Sequence, residues 1–378
     1  MYIVNARVYT GQGEFVPLTV RTCGEWISEL LAPDAALEAG ERVIDAAGCY
    51  CIPGLTDIHF HGCNAYDFCD GTMEAYQAMA DFELQHGVTS ICPATMTLPA
   101  DTLIQICKSA SDFAKNQTSG ADLVGIHMEG PFINPVKKGA QNGTYIQKTD
   151  GTLIRQWLDA SNHLVKLITL APEMEGAIEC IRKYKDEVFF SIGHTNADYD
   201  TALSALHAGA NHITHLYNAM PPFHHRESGV IGAAYDTTDC YKELICDGLH
   251  VSAPVVRTTF KVCPDKVILI SDSMRATGMP DGSYTLGGQA VNVHAKTALL
   301  ADGTIAGSVT PLLECMQTAV SMGVSLENAV AAVTIVPCRS IGIDDLYGSI
   351  VPGKKAHFVL LDIHSLSLQK VIKGNHIQ

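Results

Sequence analysis

The chain has no CxxC pair, no G-x-G-x-x-G or Walker motif, little basic charge, and no apolar run near the ~18 to 20 residues of a membrane helix. Each absence narrows the field. With 25 basic against 40 acidic residues, the formal charge of −15 argues against a nucleic-acid partner or an anionic membrane surface. Any phosphorylated ligand would therefore need a local cluster of cations. The 13 cysteines, odd in number and without CxxC spacing, read as reduced and mostly buried thiols. No basic-then-apolar leader opens the sequence, and a cytoplasmic protein is expected. Without glycine fingerprints, a doubly wound nucleotide-binding sheet has no motif to support it.

What is present divides into three stretches, and its 378 residues are enough for a sizeable core. Residues 1–53 read as short strands between turns ("MYIVNARVYT", "FVPLTVRT", "ERVIDAAGCY"), and residues 343–378 repeat that texture in "AHFVLLDI" and "LQKVIKGNHI". Two strand-rich ends flanking a different middle predict one small β-sandwich built from both termini. From 54 to 342, apolar runs such as "VTSICPATM", "HLVKLITLAPE" and "KVILISDSM" alternate with amphipathic stretches such as "ADTLIQICKSASDFAKN" and "DYDTALSALHAGA". Eight such runs predict an α/β fold of the (β/α)8 TIM-barrel type. The turn-rich "GSYTLGGQAVNVHAKTALLADGTIAG" interrupts the alternation and is expected to be a hairpin insertion after the eighth strand.

In a barrel of this type the chemistry gathers at the C-terminal ends of the strands. The polar residues fall there in order: His59 and His61 in "DIHFHG", His127 and Glu129 in "HMEGPF", then His194, His215, His250 and finally Asp272 in "LISDSM". On an extended strand His59 and His61 share a face, so one ion can be chelated by both; two locally hydrogen-bonded strand-end histidines are the plainer alternative. Imidazole and carboxylate donors suit zinc or a similar first-row ion, and three protein ligands leave a position for water. A carboxylate at the end of the last strand can exchange protons with that water and with a leaving group. Asp272 occupies that position, although an Asp ahead of a loop can equally be a helix cap.

These residues also form a recognisable set. "GIHMEGPF" at 125–132, "GHTNA" at 193–197, "THLYNAMPPFHHRESG" at 214–229, "CDGLHV" at 246–251 and "SDS" at 271–273 resemble the N-acetylglucosamine-6-phosphate deacetylase family of the amidohydrolase superfamily. The resemblance covers the middle of the chain and extends to both ends. It implies Glu129, His194 and His215 as primary ligands of a divalent metal, with zinc the default and iron, cobalt or manganese equally compatible with the donors. It implies Asp272 as catalytic acid and base. It further implies that Asn218 and Ala219 receive a sugar phosphate with Arg226 as a cationic fork, that His250 contacts substrate, and that Ile305, Ala306 and Gly307 close over the sugar.

Family members differ at two places that matter here. Some carry histidine where this chain has Gln141, next to Ala140, and a glutamine amide donates a hydrogen bond but cannot become a cation or shuttle a proton. Ala140 and Gln141 are expected to bind substrate. Some members lack the His59/His61 pair and use one ion, so its presence predicts a second ion bridged to the first through Glu129 or the nucleophilic water. His127 is left as a supporting or core residue. The expected reaction is hydrolysis of the acetamide of N-acetyl-D-glucosamine 6-phosphate by a homodimer. The alternatives are a different amidohydrolase-superfamily cyclic amidase or dipeptidase, and a non-catalytic sugar-phosphate-binding barrel. Such relatives usually bridge two metals with a carboxylated lysine, where this chain offers Glu129, and a sensor should have lost ligands.

Overall fold

The computed structural model describes all 378 residues. Its middle is organised by eight short strands, most of them buried on both faces. They are β1 (Leu55–Asp57), β2 (Val88–Ile91), β3 (Ile126–Glu129), β4 (Val165–Leu170), β5 (Phe189–Ile192), β6 (His212–Ile213), β7 (Tyr241–Ile245) and β8 (Val267–Ile270). Strands β3 to β8 pair in chain order, all parallel, while β2 pairs in parallel on one side with β1 and on the other with Asp122–Leu123, just ahead of β3. A parallel bridge between Ala94 and His127 links the two sets. At the far edge the chain beyond β8 meets the chain beyond β1: Asp272 N donates to His59 O at 3.0 Å and His61 N to Ser273 O at 2.7 Å. The parallel sheet is curled, and its C-terminal ends converge.

Helices cover the outside because their apolar residues recur on one face. In Ala100–Asn116 the buried residues are Leu103, Ile106, Cys107, Ala110, Ser111 and Phe113, a spacing of three and four. Caps set the starts: Thr72 accepts from Ala75 N ahead of Met73–Gln85, and Asp198 accepts from Thr201 N ahead of Tyr199–Ala208. Both helices fall where the amphipathic stretches predict them. A core cluster of 71 residues fills the space between these helices and the sheet, against only 14 in a separate cluster at the termini, so burial is concentrated around the parallel strands.

The terminal strands do come together across the whole length of the chain. Tyr50–Pro53 pairs on one side with Tyr2–Tyr9 and on the other with His357–Leu361. Hydrogen bonding joins both ends in one continuous eight-stranded sheet, with its own cluster that includes Ile3, Val20 and Phe358. The insertion after β8 is antiparallel, as its turns predict, with strands Gly282–Leu286, Gln289–His294 and Thr297–Leu299. Its Leu286, Val291 and Ala298 pack on Met96, Met274 and Ala306 at the C-terminal ends of the sheet. All 13 cysteines are free thiols, and no helix is long and apolar enough to cross a membrane.

Candidate metal and substrate site

The strand ends converge on one carboxylate. Glu129 Oε1 lies 3.1 Å from His194 Nε2, 3.2 Å from His215 Nε2 and 3.4 Å from His59 Nε2, while Oε2 lies 3.3 Å from His61 Nε2. Three sets of donor atoms are close enough to hold a metal ion; Glu129/His194/His215 and His59/His61/Glu129 share Glu129 at the cavity floor, and His59/His127/Glu243 lies buried beneath them. Hydrogen bonds behind the rings decide which nitrogen faces inward. His194 Nδ1 is 2.9 Å from Lys137 O and His61 Nδ1 is 3.3 Å from Ala94 O, so those nitrogens carry the proton and leave Nε2 a lone pair. His59 Nδ1 faces the Glu243 carboxylate at 2.8 Å, and its Nε2 has no hydrogen-bond partner. His194 and His215 face each other at 3.1 Å through their Nε2 atoms, a spacing at which both can ligate one ion.

The charge balance leads to the same place. Glu129, Glu243 and Asp272 are all buried around these rings. Burial would raise the Glu129 carboxyl, but His59 and His194 outweigh it and hold it well below the usual carboxylate range. Burial would likewise lower His61, yet Asp272 and Glu129 override it and push its pKa up to about 10. Such a surplus of buried carboxylate is compensated by protons on the imidazoles or by a cation in their midst. The donor set, the fixed tautomers and the charge all fit a divalent ion.

The backbone is bent to make this possible. His194, His215 and Asp272 all leave their strands with φ of 45°, 27° and 47°, a left-handed region that non-glycine residues seldom occupy. Gly193 gives the room: a Cβ there would sit 2.6 Å from Thr214 Cβ and 2.9 Å from Thr169 Cγ2. Asp272 reaches inward with Oδ1 3.4 Å from His61 Nε2, and it is held ionised because His61 and His59 outweigh its burial.

A cavity of about 550 Å³ opens above this centre. It is lined by His61, Glu129, His194, His215 and Asp272 at its floor, and by Ala140, Gln141, Asn218, Ala219, His250, Ile305 and Gly307 around its walls. Ala306 is buried behind its neighbours, and His59 is fully buried beneath the floor. Arg226 is exposed and does not line the cavity. His127 points away from the centre, bonding Thr169 Oγ1 at 2.7 Å and Ile58 O at 3.2 Å. Gln141 is committed at both ends: its Oε1 accepts from Thr97 N at 2.6 Å and its Nε2 donates to Glu129 Oε2 at 2.7 Å. His250 is oriented by Asp247, whose carboxylate accepts from its Nδ1 at 2.7 Å and raises its pKa against the effect of burial.

Sequence reasoning misses Glu243, Asp247 and Lys137. Glu243 carries a readable signal, since an acid inside the apolar run "KELIC" has to find a partner if the strand is buried. Asp247 sits three residues before His250 and could have been paired with it. Lys137 gives no such sign.

The amidohydrolase family profile matches residues 50–376. The chain belongs to the amidohydrolase family. This amidohydrolase is 38% identical over 339 residues to the N-acetylglucosamine-6-phosphate deacetylase of Bacillus subtilis (strain 168), covering 86% of this chain and 83% of that one. It is 33% identical over 312 residues to the N-acetylgalactosamine-6-phosphate deacetylase of Escherichia coli O157:H7, covering 82% and 83%. Among solved structures, N-acetylglucosamine-6-phosphate deacetylase from Pasteurella multocida superposes with a TM-score of 0.94 at 28% identity, over 100% of this chain and 99% of that one. A mutant of the Mycobacterium smegmatis deacetylase in complex with N-acetyl-D-glucosamine-6-phosphate gives 0.92 at 29%, over 100% and 98%.

Proposed function

We propose that this amidohydrolase hydrolyses the acetamide of N-acetyl-D-glucosamine 6-phosphate to D-glucosamine 6-phosphate and acetate. The observation that carries the reading is Asp272, an ionised carboxylate on the cavity wall 3.4 Å from His61 and facing the Glu129 centre. An amide nitrogen leaves only once it is protonated. Asp272 takes one proton from the attacking water and returns it to that nitrogen, so no net proton is left behind. A divalent ion held by Glu129, His194 and His215 supplies the electrophile that polarises the acetamido carbonyl and acidifies water. Zinc is the default, and His59 and His61 with Glu129 would hold a second ion. His250, oriented by Asp247, and Ala140 face the sugar, Ile305, Ala306 and Gly307 close over it, and Asn218, Ala219 and Arg226 serve the phosphate. Gln141 fixes Glu129 and presents its remaining N–H to the cavity.

The curled sheet supports a closed (β/α)8 barrel over residues 54–342, and the pairing of Tyr50–Pro53 with strands from both ends supports a small terminal β domain of 1–53 and 343–378. Exposed Phe223 on the Arg226 loop supports a homodimer, and free cysteines throughout support a cytoplasmic setting. The relative that carries an N-acetylgalactosamine name makes the 4-epimer the competing substrate. Acetate release from both sugar phosphates by metal-loaded protein separates them, and no release from either would refute a deacetylase. Asp272→Asn is expected to lower kcat by roughly 10² to 10⁴ while KM stays within a few-fold. A kcat within about tenfold of the parent would remove Asp272 from its role.

A further inference from the structure

We propose that Lys137 is the cation that reads the anionic end of the substrate within a single chain; this rests on the substrate being a sugar phosphate. The loop from Asn134 to Gln141 leaves β3 and crosses the cavity. It is tethered to the centre at three points: Asn134 N donates to His194 O at 2.9 Å, Lys137 O accepts from His194 Nδ1 at 2.9 Å, and Gln141 bonds Glu129. A residue on this loop is therefore held as firmly as the ligands it touches. Gly139, with φ of 53°, also lies against the centre: a Cβ there would be 3.5 Å from His194 Cε1.

Lys137 lines the cavity, half-buried, and its Nζ has one hydrogen bond, to Met220 O at 3.3 Å. No carboxylate pairs with it. Its neighbour Lys138 also lines the cavity but bonds its own loop at Gly139 O, and its charge helps, after the Thr304 hydrogen bonds, to keep Asp302 below its ordinary pKa. Lys137 is thus the ammonium without an acidic neighbour, in a chain whose formal charge is −15. Its contact places it on the Asn218–Met220 turn, where Ala219 has φ of 52° and its N–H bonds no protein acceptor. An unpaired ammonium beside an uncommitted backbone N–H is the arrangement that binds a phosphate. Arg226 lies outside the cavity, so within one chain the lysines that line it are Lys137 and Lys138, and Lys137 is the one that touches the Asn218–Met220 turn. Because the same residue's carbonyl holds His194, the anion end and the metal end share one short piece of backbone.

The test compares parent, Lys137→Met and Lys137→Arg on N-acetylglucosamine 6-phosphate and on N-acetylglucosamine, with titration of inorganic phosphate alongside. The ratio of kcat/KM for the phosphorylated over the plain sugar should fall about tenfold or more in Lys137→Met, through KM, and be largely restored in Lys137→Arg. Phosphate affinity should fall in parallel. An unchanged ratio together with unchanged phosphate affinity overturns the proposal, as does an equal loss on both sugars. If the parent deacetylates neither sugar, the proposed function fails, and the phosphate titration of parent against both variants still decides for or against Lys137. Lys137→Arg also guards against a Lys137→Met chain that does not fold.

Discussion

Glu243 is the buried residue on which the metal centre leans, and its removal can be worked through. Its Oε2 accepts from His59 Nδ1 at 2.8 Å and from His215 N at 3.3 Å, while Oε1 has no partner. In Glu243→Gln the amide oxygen can take the place of Oε2 and keep both bonds, with the NH2 in the unpartnered position. The variant then removes charge but not geometry. A hydrogen bond to a charged group contributes roughly 1.5–3 kcal/mol against about 1 for a neutral one, so the expected loss is about 1–2 kcal/mol. That corresponds to a drop in metal affinity of roughly tenfold, within the about 10- to 100-fold range for residues that orient metal-bound histidines. Glu243→Ala leaves two buried donors unsatisfied and should cost about 1–3 kcal/mol more for each. Chelator titration with metal analysis, at equal fold stability, reads the difference. Equal chelator midpoints for parent and Glu243→Gln, or equal losses in Gln and Ala, would refute the account of Glu243 as a charged orienting group.

Gln141→Leu frees Glu129 Oε2 and orphans Thr97 N–H, and kcat is expected to fall by about tenfold; Gln141→Glu should be worse, because it sets a second carboxylate against Glu129. Kinetics at saturating substrate check both. Gly193→Ala should destabilise by ~1–3 kcal/mol, since its new Cβ meets Thr214 and Thr169, and urea denaturation measures it. His357 supplies a pH signature. Burial, opposed by Asp122 and aided by Lys373, pulls its pKa down to about 4. The unfolded residue titrates near ~6.5, so the unfolded state takes the proton first and stability falls as pH drops from there to about 4, by roughly 3 kcal/mol from this group. His357→Gln should flatten that slope, and parallel stability curves for parent and variant would show that the burial of His357 has no such effect.

The strand ends could be read in the sequence because chemistry and topology coincide there. His59, Glu129, His194, His215 and Asp272 each terminate an apolar run, and the order of runs places them on one end of the sheet. The helices were legible for a similar reason, since the apolar period marks Ala100–Asn116 and the Asp198 cap marks the start of Tyr199–Ala208. What sequence could not give was the path of the loops. Lys137 holds His194 through its backbone carbonyl, and Gln141 bridges Thr97 N and Glu129 Oε2 through its side-chain amide, contacts that follow from the path of the loop and not from residue type. Arg226 shows the opposite case: the residue suits a phosphate, but within one chain its turn carries it out of the cavity. The termini read as strands, yet whether they formed one sheet or two depended on Tyr50–Pro53 finding partners on both sides.

That shared strand has a consequence for how the molecule comes to be made. Cys51 pairs with Leu360, so the sheet begun ahead of the central strands waits for a strand synthesised roughly 300 residues later. Until then the edge of Tyr50–Pro53 presents unpaired backbone groups during translation, at the stage when a nascent chain is most open to wrong strand partners. The helix-covered centre has mostly local, sequential pairings and can organise in that interval. Closing the terminal sheet is then the late step that seals the folded molecule.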